Sequence, residues 1–208
     1  MISKQKWFPI LYMFLVTAFF SSIVIGFTRF TGERVDANQK MTFEKAVLMV
    51  LPGLYDQNLS RMELHHRFTD DVSEPNDSTG GAYTLRKNGK ILAYALPISG
   101  RGFWAPIKGV IGIKADKKTI TGIAFYEQNE TPGLGAEIAK LSFKKQFEGK
   151  VISTIGDKPI HIRRPSATLG PSDVHAVTGA TQTSTRLENI INDGLNQWLK
   201  TVKGTDAK

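Results

Sequence analysis

The sequence predicts an α+β fold: a largely antiparallel sheet built from hairpins with packed helices, preceded by one N-terminal transmembrane helix. Three observations predict it: an uncharged apolar run near the N-terminus, two hairpin signals in the middle of the chain, and a long amphipathic helix near its end. The strands do not alternate regularly with helices, so a parallel βαβ sheet is not expected. We expect residues 1–30 to form a membrane anchor, residues 31–81 a connecting helix and mobile loop, and residues 82–203 the main domain.

The apolar run, residues 7–28, contains no charged side chain. As a helix that rises about 1.5 Å per residue it would be roughly 33 Å long, which is enough to cross a hydrocarbon core of about 30 Å. A cleaved signal peptide is the alternative, because Lys4 and Lys6 would supply its basic start. Its apolar core would span only about 7–15 residues and end at small residues. The length of the run favours a retained, single-pass anchor in the lipid bilayer.

The segment after the anchor contains one helix signal and one loop signal. Thr42 would cap a short helix over residues 43–51, which Pro52 and Gly53 would end. Residues 69–81 are rich in Asp, Ser, Pro, Asn and Gly, a composition that predicts a mobile loop.

Two β-hairpins follow. In the first, Asn88 and Gly89 separate two apolar strands, and this dipeptide is the strongest short-range hairpin signal. In the second, a turn around Asp116 separates two further strands. The four predicted strands cover residues 82–85, 91–96, 110–115 and 120–126, with an irregular loop over residues 100–109 between the hairpins. A helix over residues 136–147 and a short strand over residues 158–163 complete this part of the chain.

The C-terminal helix has apolar residues on one face of a 3.6-residue period. These residues are Leu187, Ile190, Ile191, Leu195, Trp198, Leu199 and Val202. Thr185 and Glu188 have the spacing of a capping box, which favours an ordinary capped helix. The turn before the helix is rich in hydroxyl side chains and contains a Gly and an Ala, so it could also bind a phosphate with backbone amides at the positive end of the helix dipole.

Two segments carry a resemblance to one family. Thr178-Gly179-Ala180-Thr181-x-Thr183 is similar to the flavinylation motif of the FMN-binding subunits of the sodium-translocating NADH:quinone reductase and the related Rnf ferredoxin:NAD oxidoreductase. Upstream, Glu130-Thr131-Pro132-Gly133-Leu134-Gly135 is similar to a second segment of the same subunits. The motifs stand in the family's order, and a helix follows the second. The resemblance implies FMN as the cofactor, joined to the Thr181 hydroxyl by a phosphoester, and makes residues 82–203 an FMN-binding domain.

The resemblance also implies the residues around the cofactor. The turn before the helix would hold the phosphate, and the upstream loop would bring Leu134 and backbone amides near the flavin ring. Glu130 would bind the flavin or the attachment turn, or else be a surface carboxylate or a helix cap. Trp104 would lie beside the flavin or plug the core. The implied cofactor-binding residues besides Thr181 are Thr178, Gly179, Ala180, Thr183, Ser184, Glu130, Thr131, Leu134, Gly135, Trp104 and His175. His175 departs from the pattern, because the family has an acidic residue six places before the flavinylated Thr.

Composition narrows the chemistry. The chain has no cysteine, which excludes disulfides and thiolate ligands for iron–sulfur clusters or zinc, and no metal-ligand spacing is present. The net charge of +8 is spread over lysine pairs without interleaved aromatic residues, so nucleic acid is not an expected partner. Any redox chemistry therefore needs an organic cofactor.

The resemblance implies an electron-transfer subunit of an ion-translocating complex, with no catalytic residue or substrate site of its own. Its partners would be the other membrane subunits, a flavin transferase and the lipid bilayer. The protein would lie in the cytoplasmic (inner) membrane of a bacterium with its soluble domain on the extracytoplasmic side. Two alternatives stay open: an autonomous extracytoplasmic flavin reductase, and a cofactor-free, membrane-anchored interaction domain.

Overall fold

A computed structural model describes residues 3–206 of the chain and the side chains of residues 7–204. The first helix, α1, runs without interruption over Ser3–Val50. The predicted separate helix over residues 43–51 was wrong. The helix continues through Thr42, and the first residues that break it are Pro52 and Gly53. Within the described chain, α1 is the one helix whose length and composition would let it cross a membrane.

The contacts within the chain define two units with a boundary between Lys40 and Met41. The first unit is the N-terminal part of α1. The second unit contains the end of α1 and every later element, so residues 41–81 lie in it.

The mobile loop predicted over residues 69–81 was largely wrong. Helix α2, Arg61–Asp71, occupies its first part and begins with a capping box between Ser60 and Glu63. Strand β1, Val72–Ser73, and a short 3₁₀ helix, Asp77–Thr79, follow. Local side-chain bonds order this polar sequence, because Asn76 accepts a hydrogen bond from the Thr79 amide at 3.1 Å and so caps the 3₁₀ turn.

The five-stranded antiparallel sheet confirms the predicted fold class. Its strands are β1, β2 (Tyr83–Lys87), β3 (Lys90–Arg101), β4 (Pro106–Lys114) and β5 (Ile120–Glu127), in that spatial order. Both predicted hairpins are present. Asn88 and Gly89 take the positive φ values that their tight turn requires. The loop predicted over residues 100–109 shrinks to a few residues, because β3 and β4 extend and pair as far as Arg101 and Pro106.

Alternating side chains of β3 face two hydrophobic clusters. Tyr94, Leu96 and Ile98 belong to the cluster that includes the C-terminal helix. Ala93 and Ala95 point to the opposite face and belong to a second cluster with the end of α1 and α2. The sheet is therefore covered on both faces within the second unit.

The segment after β5 is less regular than predicted. The expected helix over residues 136–147 is a 3₁₀ helix (Gly135–Ala139), a single turn of α-helix that we call α3 (Leu141–Lys144) and another 3₁₀ turn (Lys145–Phe147). The interruption occurs at Lys140, whose backbone is extended with ψ at 149°. Ile138, Phe143 and Phe147 still reach the core, whereas Leu141 is 54% exposed.

The predicted strand at residues 158–163 is confirmed only over β6, His161–Arg163. It pairs in parallel with β7, Asp173–His175, a strand that the sequence did not reveal. These two strands form a separate small sheet.

The last helix, α4, covers Thr181–Asp206 and begins earlier than the capping box at Thr185 predicted. Thr185 lies inside the helix. The Glu188 carboxylate instead accepts hydrogen bonds from the Lys158 ammonium at 2.8 Å and from the Ile162 amide at 3.1 Å. The longer helix places Thr181 at its first position.

Candidate functional site

Three separate segments meet at a cleft of about 260 Å³ at the start of α4. They are the turn between β3 and β4, the loop after β5, and the first turn of α4. The cleft is lined by Phe103, Glu130, Thr131, Leu134, Gly135, Gly179, Ala180, Thr181, Gln182 and Thr183. The two motifs that lie far apart in the sequence therefore form one site.

Glu130 fastens these segments together with its carboxylate, which is only 5% exposed. Its Oε1 accepts hydrogen bonds from the backbone amides of Phe103 at 2.8 Å and Trp104 at 3.2 Å. Its Oε2 accepts a hydrogen bond from the Thr183 hydroxyl at 2.6 Å. Glu130 is therefore neither a surface carboxylate nor a helix cap, and within the described structure it binds the first turn of α4.

Trp104 does not plug the core. Its side chain is 69% exposed, and its Nε1 donates a hydrogen bond to the Thr131 hydroxyl at 3.0 Å. Its ring packs edge-to-face on that of Phe103 with the centroids 4.9 Å apart. The aromatic pair lies at the rim of the cleft. The hydrogen bond from Trp104 to Thr131 joins it to the loop after β5.

The first turn of α4 closes the opposite side of the cleft. Gly179 has a φ of +78°, and a Cβ built there would lie 3.1 Å from Leu134 Cδ2. A side chain at position 179 would therefore be strained in its backbone and would crowd the wall of the cleft. The helix begins immediately afterwards, and the amides of its first turn have no partner within the helix.

The hydroxyl side chains of this region differ in their accessibility. Thr183 is 4% exposed and is bound to Glu130, and Ser184 is 3% exposed with its Oγ accepting a bond from the Val177 amide at 3.3 Å. Thr178 and Thr181 are both exposed. Of these two, only Thr181 lines the cleft. It is the accessible hydroxyl at the junction of the helix start and the cleft.

A second cleft, of about 660 Å³, borders Thr181 on the side of the small sheet. It is lined by Ile162, Arg164, Pro165, Ser166, Ala176, Val177, Thr178, Gly179, Thr181, Ser184 and Thr185. Of this lining, sequence reasoning missed residues 162–166, because it did not predict β7, which brings them next to the start of α4. The signal in the sequence that could have drawn attention to this segment is the pair of arginines at residues 163–164, directly before a proline.

His175, the residue that departs from the family pattern, lies in β7 and lines neither cleft. Its Nδ1 lies 3.4 Å from the carbonyl oxygen of Arg164. Its backbone amide donates a hydrogen bond to Gln146 Oε1 at 2.8 Å. The structure therefore places the imidazole against the neighbouring backbone. Thr178, Ser184 and Trp104 also lie outside the lining of the first cleft. The other predicted residues line that cleft directly.

One buried donor near the cleft has no hydrogen-bond partner. It is the Nε of Arg186, whose guanidinium lies over the ring of Phe103 at 5.9 Å from the centroid. In residues 3–206 no cluster of His, Cys, Asp and Glu side chains has the arrangement of a metal site. The described site thus offers an exposed hydroxyl, free helix amides, a close-approach glycine and apolar walls, a set that fits a phosphate-bearing organic cofactor.

The fold and the cleft are similar to those of a flavin-binding domain. Residues 102–196 match the family model of the FMN-binding domain, a range that contains both motifs and the whole cleft. The C subunit of the Na(+)-translocating NADH-quinone reductase of Vibrio vulnificus is 34% identical over 117 residues, which cover 55% of this chain and 46% of the relative. Its counterpart in Pseudomonas aeruginosa is 30% identical over 135 residues, which cover 60% of this chain and 52% of the relative. The chain therefore spans about half the length of these relatives.

Two solved structures share the fold. The C subunit of the Na(+)-translocating NADH-quinone reductase from Parabacteroides distasonis superimposes with a TM-score of 0.67 at 23% identity, and the match covers 81% of this chain and 95% of that one. NqrC of Shewanella oneidensis superimposes with a TM-score of 0.70 at 19% identity, and the match covers 83% of this chain and 100% of that one. These structures show the same fold, and the family match and the relatives confirm the resemblance to the FMN-binding subunits that the two motifs indicated.

Proposed function

We propose that this protein is a membrane-anchored flavoprotein that carries FMN covalently on Thr181 and passes electrons within an ion-translocating oxidoreductase complex of the Nqr or Rnf type. The observation that carries the proposal is the position of Thr181. It is the exposed hydroxyl at the first residue of α4, and it borders the cleft that the two motifs form.

The residues around Thr181 would divide the work of holding FMN. A phosphate on the Thr181 oxygen would lie at the positive end of the α4 dipole, where the unpaired amides of the first turn can bind it. Leu134 and Phe103 would supply apolar contact for the ring, since both line the cleft. The bound FMN supplies the electron-accepting and electron-donating chemistry, which no side chain in the cleft provides.

The anchor supports a place at a membrane. The apolar part of α1 begins at Trp7 and is long enough to cross a bilayer. We propose a single-pass anchor in the bacterial cytoplasmic membrane with residues 41–206 on the extracytoplasmic side, where a dissociable cofactor would be lost by dilution. The partners would be the other membrane subunits of the complex and a flavin transferase that attaches FMN.

The attachment is tested by expressing the full chain with a flavin transferase and mapping its peptides by mass. The Thr181 oxygen forms a bond to the phosphorus of an activated flavin phosphate, the hydroxyl loses its proton and the bond from phosphorus to the donor's leaving group breaks, so the peptide should gain one FMN less one water. Thr181→Ser keeps a hydroxyl and should still be flavinylated, whereas Thr181→Val should carry no covalent flavin after denaturation. Flavin on Thr178 or Thr183 in the wild-type protein would overturn the assignment.

The place in a complex is tested separately. When membranes from cells that express the chain at its natural level are gently solubilised, other membrane subunits should co-purify with the flavin-bearing protein. Recovery of a flavoprotein that is alone and reduces an added substrate would instead support an autonomous reductase.

A further inference from the structure

We propose that the hydrogen bond between Glu130 and Thr183 is a positioning device that presents Thr181 as the flavin acceptor. This inference rests on the proposed function and goes beyond it, because it assigns to two other residues the task of selecting one hydroxyl among several. The relevant contact joins Glu130 Oε2 to Thr183 Oγ1 at 2.6 Å, between residues 53 positions apart in the sequence.

The carboxylate is held from several sides. Its other oxygen accepts the amides of Phe103 and Trp104, so the group is fixed to the turn between β3 and β4 as well as to α4. Two glycines leave the space that it occupies. A Cβ on Gly102 would lie 2.5 Å from Glu130 Oε1, and a Cβ on Gly135 would lie 2.9 Å from Oε2 and 2.5 Å from Thr183 Oγ1.

The burial of these groups makes the contact a strong constraint. Glu130 and Thr183 are both almost fully buried, so neither can exchange its partner for bulk water. Removing either side chain would leave the other polar group buried without its hydrogen bond, which lowers the stability of the folded protein. The first turn of α4 is therefore fixed in its rotation, and Thr181, two residues before Thr183, faces outward along the cleft.

The same contact removes a competing acceptor. A carboxylate at hydrogen-bond distance would by itself make the Thr183 hydroxyl more nucleophilic. The Thr183 hydroxyl is buried, however, so the flavin phosphate that a transferase presents cannot reach it. Ser184 is excluded in a similar way by its burial and its bond to the Val177 amide. Among the three hydroxyls of residues 181–184, the selectivity for Thr181 thus follows from access, and Glu130 keeps Thr183 out of reach.

The test compares wild type, Thr183→Val and Thr183→Ser in the full-length protein. Valine keeps the shape and removes the donor, whereas serine keeps the donor. With a saturating flavin transferase, the single-turnover rate of flavin attachment should fall on the order of tenfold in Thr183→Val and be restored in Thr183→Ser. An attachment rate in Thr183→Val equal to that of the wild type would overturn the inference.

A second measurement needs no flavin. In the cofactor-free protein, the amides that close the first turns of α4, at residues 184–187, should exchange hydrogen for deuterium faster in Thr183→Val, while those of residues 190–198 on the same helix stay protected. Unchanged exchange at the helix start would also overturn the inference. If the wild-type protein acquires no flavin on Thr181, the proposed function fails instead, and the exchange data still report whether the contact fixes the helix start.

Discussion

The indole Nε1 of Trp198 donates a hydrogen bond to the carbonyl oxygen of Thr79 at 2.9 Å, although the two residues are 119 positions apart. Both residues are buried, and the Trp198 ring also packs edge-to-face on Tyr94 of β3 with the centroids 5.3 Å apart. The contact joins α4 to the 3₁₀ helix Asp77–Thr79, a segment whose composition predicted a loop. A polar segment is thereby built into the core next to the helix that carries Thr181.

We predict that Trp198→Phe destabilises the domain. Phenylalanine keeps an aromatic ring but leaves the Thr79 carbonyl without its donor, and a buried unsatisfied acceptor costs about 1–3 kcal/mol in the free energy of unfolding. Urea unfolding followed by far-UV circular dichroism measures the change. Met62→Leu, at an exposed position, is the control and should leave the midpoint unchanged. An unaltered midpoint in Trp198→Phe would show that the bond contributes nothing.

A pair of truncations tests where the folded domain begins. Deleting residues 1–30 should give a soluble, folded protein, because the second unit of contacts starts only at Met41. Deleting residues 1–51 should give an aggregating protein. It removes Val47, Leu48 and Leu51, which are buried in the second hydrophobic cluster, and burial of each such side chain contributes about 1.5–3 kcal/mol. Size-exclusion chromatography and circular dichroism distinguish the outcomes, and a folded second truncation would contradict the packing of the α1 end.

The parts of the molecule that the sequence predicted correctly are those with a local signal. Asn88-Gly89 defines its hairpin within a few residues, and the apolar period of α4 needs no distant partner. The start of α4 was misplaced because Glu188 has the spacing of a cap yet bonds Lys158 and Ile162, which are distant in the chain. β7 was missed for the same reason, since a three-residue strand exists only through its pairing with β6.

The residues of the site were likewise predicted where a local motif marks them and missed where only tertiary contacts define them. The two motifs identified Thr181 and Glu130 as residues to examine, but the bond from Thr183 to Glu130 is set by tertiary structure. The second cleft depends on the small parallel sheet and could not be predicted without it.

Asp116 should make a pH-dependent contribution to stability. Burial alone would raise the pKa of its carboxyl. Hydrogen bonds from the Thr119 hydroxyl and from the amides of Lys118 and Thr119 outweigh that effect, so the pKa lies below the ordinary value of 3.8. Since the folded pKa is lowered, this contribution is fully present above the unfolded pKa and is lost as the pH falls through the folded pKa.

Asp116→Asn measures that contribution. The amide cannot be protonated in this range, so the melting temperature of the variant should fall less than that of the wild type between about pH 6 and the acid region below about pH 4. The group is exposed, and the effect should be small. Asp77→Asn, at an exposed position of the 3₁₀ helix Asp77–Thr79, serves as the control for the general effect of removing one charge. If the melting temperatures of wild type and Asp116→Asn fall equally across this pH range, the proposed contribution of the Asp116 carboxylate to stability is contradicted.

The final prediction concerns His175→Asp, which introduces the acidic residue that the family resemblance predicts six places before Thr181. In this chain the Nδ1 of His175 lies 3.4 Å from the Arg164 carbonyl, a position where a protonated ring nitrogen donates and a carboxylate cannot. The substitution would set two acceptors against each other next to the second cleft. We therefore expect the fraction of flavinylated chains to stay equal or to fall when the variant is expressed with a flavin transferase from the same source. His175→Asn, whose amide can donate to the carbonyl, should be flavinylated at least as well as His175→Asp. The ratio of bound FMN to protein, measured after denaturation, decides the matter, and a clear increase in the Asp variant would show that the transferase requires a carboxylate at this position.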